Sequence, residues 1–280
     1  MICKTLDLYD TCGVGKPKDA RADLSVYVWE NSQEIDMERR RPAILVCPGG
    51  AYGYCSDREA EAIAFRFFSA GFNAFVLRYS LAPVHFPAQL IEGVLAVDLI
   101  RKNAREWNTD PEGIVACGFS AGGHFVDMLA TITDCEEVTS AIGKRDGKPN
   151  ACLLCYPVIT AGPFSHRDSI YNLSGRRENV EEFSLEKRVD RETVPSFIWA
   201  TANDAAVPAQ NSLLFASALA EAGVDYELHI FQNGPHGLAT ADEETAPVGC
   251  PDYINPRVAQ WIPLALSWLK SRGICLRSEK

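Results

Sequence analysis

The sequence predicts an α/β chain built on a doubly wound, mostly parallel sheet with helices on both faces, and three observations carry that prediction. Short apolar runs recur along the 280 residues with helical segments between them. Most of the later runs are nearly continuous in apolar residues, as in parallel strands covered on both faces. Glycine-rich turns stand where several of these runs give way to helix.

The strands are expected at 24–29 (LSVYVW), 43–47 (AILVC), 73–79 (NAFVLRY), 113–119 (GIVACGF), 151–158 (ACLLCYPV), 195–201 (PSFIWAT) and 225–231 (DYELHIF). Ser56 to Glu59 reads S-D-R-E, a capping box. Ala60, Ile63, Ala64 and Phe67 then follow at helical spacing, and Gly71 closes the helix. A second helix covers 89–107. A third opens near Pro208, which suits a first helical turn, and ends at Gly223; a last one covers 257–272. Two segments break the alternation, 160–193 and 239–256, the first polar and irregular, the second rich in Pro, Gly and acids. Both follow strand ends, so they are expected to be small insertions on the rim of a site. With no repeat and no low-complexity linker, 1–280 reads as a single domain.

Composition narrows the function classes. There are 27 basic against 37 acidic side chains, a formal net charge of −10, so a phosphate backbone would be repelled and nucleic acid is not an expected partner. No apolar run approaches the ~18 residues of a membrane span, so no membrane role is expected. The start, MICKTLDLYDTCGVGK, lacks the pattern of a secretory leader. The ten cysteines are scattered, several within apolar runs, which reads as reduced thiols and a cytoplasmic protein. Cys152 and Cys155 have C-x-x-C spacing, but no second pair follows and their neighbours are apolar, so buried thiols are expected rather than a metal or redox site.

The chemistry concentrates at G-F-S-A-G-G-H, Gly118 to His124. Gly118, Ser120 and Gly122 form G-x-S-x-G between a strand and a helix. Such a turn forces strained angles on the serine and tolerates little bulk beside it, which lifts the hydroxyl above the sheet edge. A serine hydroxyl is a weak nucleophile without a base. On elbows of this kind an acid and then a histidine follow in chain order. Asp204, just past the run at 195–201, is the candidate acid, although an Asp there could also cap the next helix. His236, in the loop after the last strand, is the candidate base. His229 falls inside that strand and reads as structural, as does His124 on the nucleophile helix, and His85 and His166 are more poorly placed. The loop V-C-P-G-G-A-Y-G-Y-C-S leaves another strand. Gly50 and Ala51 there are the candidate oxyanion donors, paired with the N–H of Ala121.

With CPGGAYGYCSDREAE, AFVLRYSLAP, GFSAGGH, TANDAAVPAQ and GPHGL in place, the chain resembles the α/β-hydrolase fold carbohydrate esterases and related lipase/esterase-like enzymes, including acetyl xylan esterases. The likeness runs from about Leu24 onward. Ala51 stands where that group usually has glycine, and Asn203 where many members carry an acid. The resemblance implies removal of small acyl groups, chiefly acetyl, from sugar hydroxyls, with acetylated xylo-oligosaccharides as partners. It implies no metal or organic cofactor, and it allows a homo-oligomer. Tyr52, Tyr54, Trp107 and Trp199 are candidates for packing sugar rings, with Tyr52 the foremost, although aromatic residues in such runs are more often core. A general short-chain carboxylesterase or an arylformamidase-like amidase would use the same motifs. A binding protein that lost its chemistry is the reading from another class.

Overall fold

The computed structural model describes residues 1–132 and 135–276. Its sheet has eight strands: β1 (Ile2–Asp7), β2 (Asp23–Val28), β3 (Arg41–Cys47), β4 (Asn73–Arg78), β5 (Thr109–Phe119), β6 (Ala151–Cys155), β7 (Ser196–Thr201) and β8 (Tyr226–Phe231). Their spatial order is β1-β2-β4-β3-β5-β6-β7-β8. β2 pairs antiparallel with both β1 and β4, and every other pairing is parallel. This is the doubly wound α/β-hydrolase architecture that the sequence predicts. β1 is the strand that sequence reading lacks. Its middle residues are exposed at the sheet edge, so it carries no apolar run.

The helices are α1 (Leu8–Cys12), α2 (Glu61–Ser69), α3 (Ala88–Lys102), α4 (Ala121–Thr131), α5 (Glu136–Ile142), α6 (Arg167–Ser174), α7 (Gln210–Ala222) and α8 (Trp261–Ser271). Alternate strand residues feed two apolar layers. Leu45, Phe75, Ala116 and Leu154 pack with residues of α3 and α4 on one face. Ile44, Val76, Val115 and Leu153 pack with residues of α2 and α8 on the other. Each large apolar side chain buried this way stabilises the fold by about 1.5–3 kcal/mol. Cys152 joins the first layer and Cys155 the second. In an extended strand a spacing of three sends side chains to opposite faces, so C-x-x-C here brings no thiol pair together.

Three local expectations are corrected. Ser56 caps nothing with its side chain; Asp57–Glu59 is a single 3₁₀ turn and α2 begins two residues later. The segment 160–193 is not irregular throughout, because it contains α6. The helix expected at 257–272 opens as a 3₁₀ turn at Val258–Gln260 before α8. Among the described residues no helix is long and apolar enough to cross a membrane.

The strand order fixes where a site can form. β3 lies between β4 and β5, so the chain reverses its direction of sheet growth there, and the loops after β3 and β5 leave the sheet side by side. Cys47 and Gly118 are register partners at that edge. Crevices outside the carboxyl ends of parallel strands at such a reversal are where open α/β sheets bind ligands.

Candidate active site

Ser120 follows β5 directly, with φ 53° and ψ −117°, a backbone conformation that non-glycine residues rarely adopt. Its neighbours explain how the chain holds it there. A Cβ on Gly118 would lie 2.1 Å from the Gly122 carbonyl oxygen, and one on Gly122 would lie 2.1 Å from that of Cys47. Only glycine permits this close crossing of the elbow and the end of β3. The Ser120 N–H donates to the Cys155 carbonyl and its own carbonyl accepts from Val158, both at 3.0 Å, which locks the turn onto the end of β6.

Thr201 of β7 and Phe231 of β8 are register partners, so the loops after them also leave together. The Thr201 hydroxyl donates to the Gly234 carbonyl at 2.8 Å, and Asn203 Oδ1 accepts the Gly234 N–H at 2.9 Å. These bonds aim the second loop back at the first. Asp204 Oδ2 lies 2.7 Å from His236 Nδ1, and His236 Nε2 lies 2.8 Å from Ser120 Oγ. The Asp204 side chain is nearly inaccessible, whereas His236 remains partly open. Asp204 Oδ1 accepts the N–H groups of Ala206 and Val207, each at 2.9 Å, so the carboxylate both orders its turn and faces the imidazole.

The loop after β3, which holds the candidate oxyanion donors, has three consecutive residues at positive φ: Gly50 at 124°, Ala51 at 54° and Tyr52 at 56°. Among the described residues, the N–H groups of Gly50 and Ala51 donate to no acceptor. Ala121 opens α4 immediately after Ser120, where a helix leaves its first N–H groups without intrahelical partners. A cleft of about 320 Å³ lies over these groups, lined by Gly50, Ala51, Glu59, Ser120, His166 and His236 among others.

Tyr52 does not line that cleft. It is fully buried, and its hydroxyl meets His124 Nδ1 at 3.0 Å. A ring held between sheet and α4 cannot stack on a sugar, and the substrate-contact expectation for Tyr52 is withdrawn. Trp107 and Trp199 are likewise core residues. Tyr54, 63% exposed, and Tyr253 are the aromatic residues that line the cleft. His124 is a buried strut. Its Nε2 faces the Phe183 carbonyl at 2.9 Å, so Nε2 carries the proton and Nδ1 accepts from Tyr52. Burial pushes its pKa down to about 4, against a weaker upward pull from the Phe183 carbonyl.

Three residues at the cleft escape sequence reading. Glu59 is buried beneath the loop after β3, accepting the Gly49 N–H at 2.8 Å and the Tyr156 hydroxyl at 2.7 Å. Burial pushes its carboxyl up, while these two donors pull the other way. Read as a capping-box residue, it gave one signal of its place: it is in phase, at i−4, with the buried Ile63 and Phe67. Its neighbour Arg58 donates to the carbonyls of Thr245 and Gly237 and lies over the Tyr253 ring, which ties the second rim segment to the site. His166, in the first rim segment, lines the cleft together with Ser120 and His236; burial first and the nearby His236 second hold its pKa low. A lone histidine in a polar stretch carries no signal of that position.

A strained serine at a strand-to-helix elbow, with an imidazole and a carboxylate in line on the next loops, places this chain among the α/β hydrolases. The BD-FAE family matches residues 32–219, and the chain belongs to it. It is 41% identical over 73% of its length to "Endo-1,4-beta-xylanase B" of Butyrivibrio fibrisolvens, of which it spans only about a third, 34%. Among solved structures it is similar to an acetyl ester-xyloside bifunctional hydrolase from Caldicellulosiruptor lactoaceticus, with 31% identity, 97% of each chain covered and a TM-score of 0.81. It is also similar to the carboxylesterase Cest-2923 from Lactobacillus plantarum, with 28% identity, full coverage of both chains and a TM-score of 0.87.

Proposed function

We propose that this chain is a serine esterase that removes acetyl groups from acetylated xylo-oligosaccharides. The observation that carries the reading is the continuous line from Asp204 through His236 to Ser120 Oγ, with contacts of 2.7 and 2.8 Å. Asp204 accepts a hydrogen bond from Nδ1–H, which leaves the Nε2 lone pair for the Ser120 hydroxyl. Ser120 Oγ attacks the ester carbonyl as His236 takes its proton. The charge that develops on the carbonyl oxygen is met by the N–H of Ala121 and an N–H of the Gly50–Ala51 turn. Collapse expels the sugar hydroxyl, protonated by His236, and leaves acetyl on Ser120. Water, deprotonated by His236, then releases acetate and restores the serine.

Support for a saccharide substrate comes from the xylanase and the acetyl ester-xyloside hydrolase to which the chain is similar. A cleft of about 320 Å³ suits a small acyl group better than a long chain. The carboxylesterase relative favours a second reading, hydrolysis of short-chain esters without a sugar requirement. The deciding experiment is acetate release from acetylated xylo-oligosaccharides by wild type and Ser120→Ala. Turnover lost in the variant supports both the serine mechanism and the sugar. Cleavage of p-nitrophenyl acetate through Ser120 with no turnover of the saccharides favours the second reading.

A further inference from the structure

A second cavity of about 610 Å³, larger than the cleft over Ser120, is lined by residues of the first rim segment. Ser165 and Arg167 line it, whereas His166 between them lines the cleft, so neighbouring residues of one segment serve both spaces. Its volume falls within the usual range of small-molecule sites, about 300–1,000 Å³.

The wall chemistry is unusual for so acidic a protein. Arg167, Arg176 and Arg177 all line the cavity. Arg176 is engaged, paired with Glu182 and donating to the Asn179 carbonyl. Arg177 lies 4.4 Å over the Tyr171 ring and Arg167 begins α6. Among the described residues, neither has a carboxylate partner, although acids outnumber bases 37 to 27 in the chain. Arg167 gains nothing from its position either, because a cation at a helix N-terminus opposes the helix dipole. Glu178 and Glu181 line the same cavity and pair with neither arginine. The wall therefore presents guanidinium groups and carboxylates on exposed side chains, with Arg167, Arg177, Glu178 and Glu181 in no ion pair among the described residues.

We propose that this cavity is a subsite for a uronic-acid unit carried by the acylated saccharide. A planar guanidinium matches a carboxylate with two parallel hydrogen bonds. The glutamates accept hydrogen bonds from sugar hydroxyls, and they would repel a more highly charged phosphate. Tyr171 adds a ring at the wall. The subsite rests on the saccharide-esterase reading, since it recognises a second part of the same substrate. It also has a route to the chemistry: Asn172, on the same helix as Arg167, donates to the Ala51 carbonyl at 2.9 Å, so α6 is fastened to the oxyanion loop.

The test compares KM for acetylated xylo-oligosaccharides with and without a glucuronosyl substituent, in wild type, Arg167→Gln and Arg177→Gln. In wild type the acidic substrate is expected to have a KM about tenfold lower, the size of one charge-assisted contact. That preference collapses toward unity in Arg167→Gln and shrinks as salt is raised. Equal KM values in wild type, or a preference that survives both substitutions, overturn the proposal. Titration calorimetry with the deacetylated glucuronosyl oligosaccharide reads the cavity independently of turnover. If no acetylated saccharide is hydrolysed, the esterase reading has failed; binding that Arg167→Gln abolishes then still supports the subsite, and no binding overturns it. A phosphorylated xylose that binds more tightly than the uronosyl oligosaccharide overturns the carboxylate assignment.

Discussion

Glu59 accepts the N–H of Gly49 at 2.8 Å, one residue before the Gly50–Ala51 turn that lines the cleft with Ser120. The same carboxylate accepts the hydroxyl of Tyr156, whose ring meets that of His236 edge-on at 5.0 Å. A single buried acid thus fixes the loop after β3, the proposed oxyanion loop, on one side and, through Tyr156, the wall behind the imidazole on the other. Both bonds need acceptors, and a glutamine offers one acceptor and one donor at that position.

Glu59→Gln is therefore expected to misplace the Gly49–Ala51 turn without emptying the cleft. The prediction is a kcat for p-nitrophenyl acetate about 10–100-fold lower with KM changed far less, as for loss of transition-state stabilisation. A rise in KM at constant kcat would show that Glu59 shapes binding instead.

Asp204→Asn separates the two tasks of that side chain. Its carbonyl oxygen can still accept from Ala206 and Val207, so the turn is expected to persist and the melting temperature to change little. The amide then donates toward His236 Nδ1, which puts the imidazole proton on Nε2, facing Ser120, and removes the base. A kcat loss of about 10³–10⁴-fold is expected in steady-state assays. Retention of a tenth of wild-type activity would remove Asp204 from the proposed mechanism.

Ala51 tests how the oxyanion turn tolerates a side chain. At φ 54° its methyl group costs on the order of 1 kcal/mol relative to glycine. Ala51→Gly should keep kcat within about twofold and leave stability unchanged or up to about 1 kcal/mol higher, since relief of strain is partly offset by unfolded-chain entropy. A large fall in kcat would mean that the methyl group stiffens the turn in a way that catalysis needs.

Much of this arrangement was legible in the chain because two kinds of signal are local. Continuous apolar runs mark buried parallel strands, and seven of the eight strands lie at or near those runs. A glycine pair around a serine marks a close backbone crossing, and the 2.1 Å clearances at Gly118 and Gly122 are its physical cause. What stayed hidden depends on contacts far apart in sequence. Glu59 meets Tyr156 across 97 residues, and S-D-R-E is satisfied as a capping pattern without them. Tyr52 looks available beside a glycine-rich loop, yet its positive φ accompanies a ring turned into the core against His124. The larger cavity is built by the first rim segment, α6 and the residues on either side of it, whose polar composition suggests only a surface insertion.

Glu92 gives the fold a pH dependence with a definite sign. It is fully buried on α3, accepting from the Ser80 N–H and hydroxyl and from the Tyr9 hydroxyl. Burial raises its pKa to about 7, against these donors. Below an ordinary glutamate pKa the folded and unfolded states are both protonated. As pH rises toward 7 the unfolded state loses its proton first, so stability falls, by on the order of 3 kcal/mol once the folded group has also ionised. His124 works in the opposite sense. Its pKa of about 4 lies below the unfolded value, so stability rises between about pH 4 and the ordinary histidine pKa near 6.5. Because the two slopes oppose each other, wild type alone is a poor readout of either. Urea denaturation of Glu92→Gln and wild type side by side, from about pH 4 to pH 8, isolates the first. Relative to its offset at the acid end, the variant should gain steadily on wild type as pH rises. A difference that stays constant across that range would mean that Glu92 is already ionised in the fold, held so by the three donors around it.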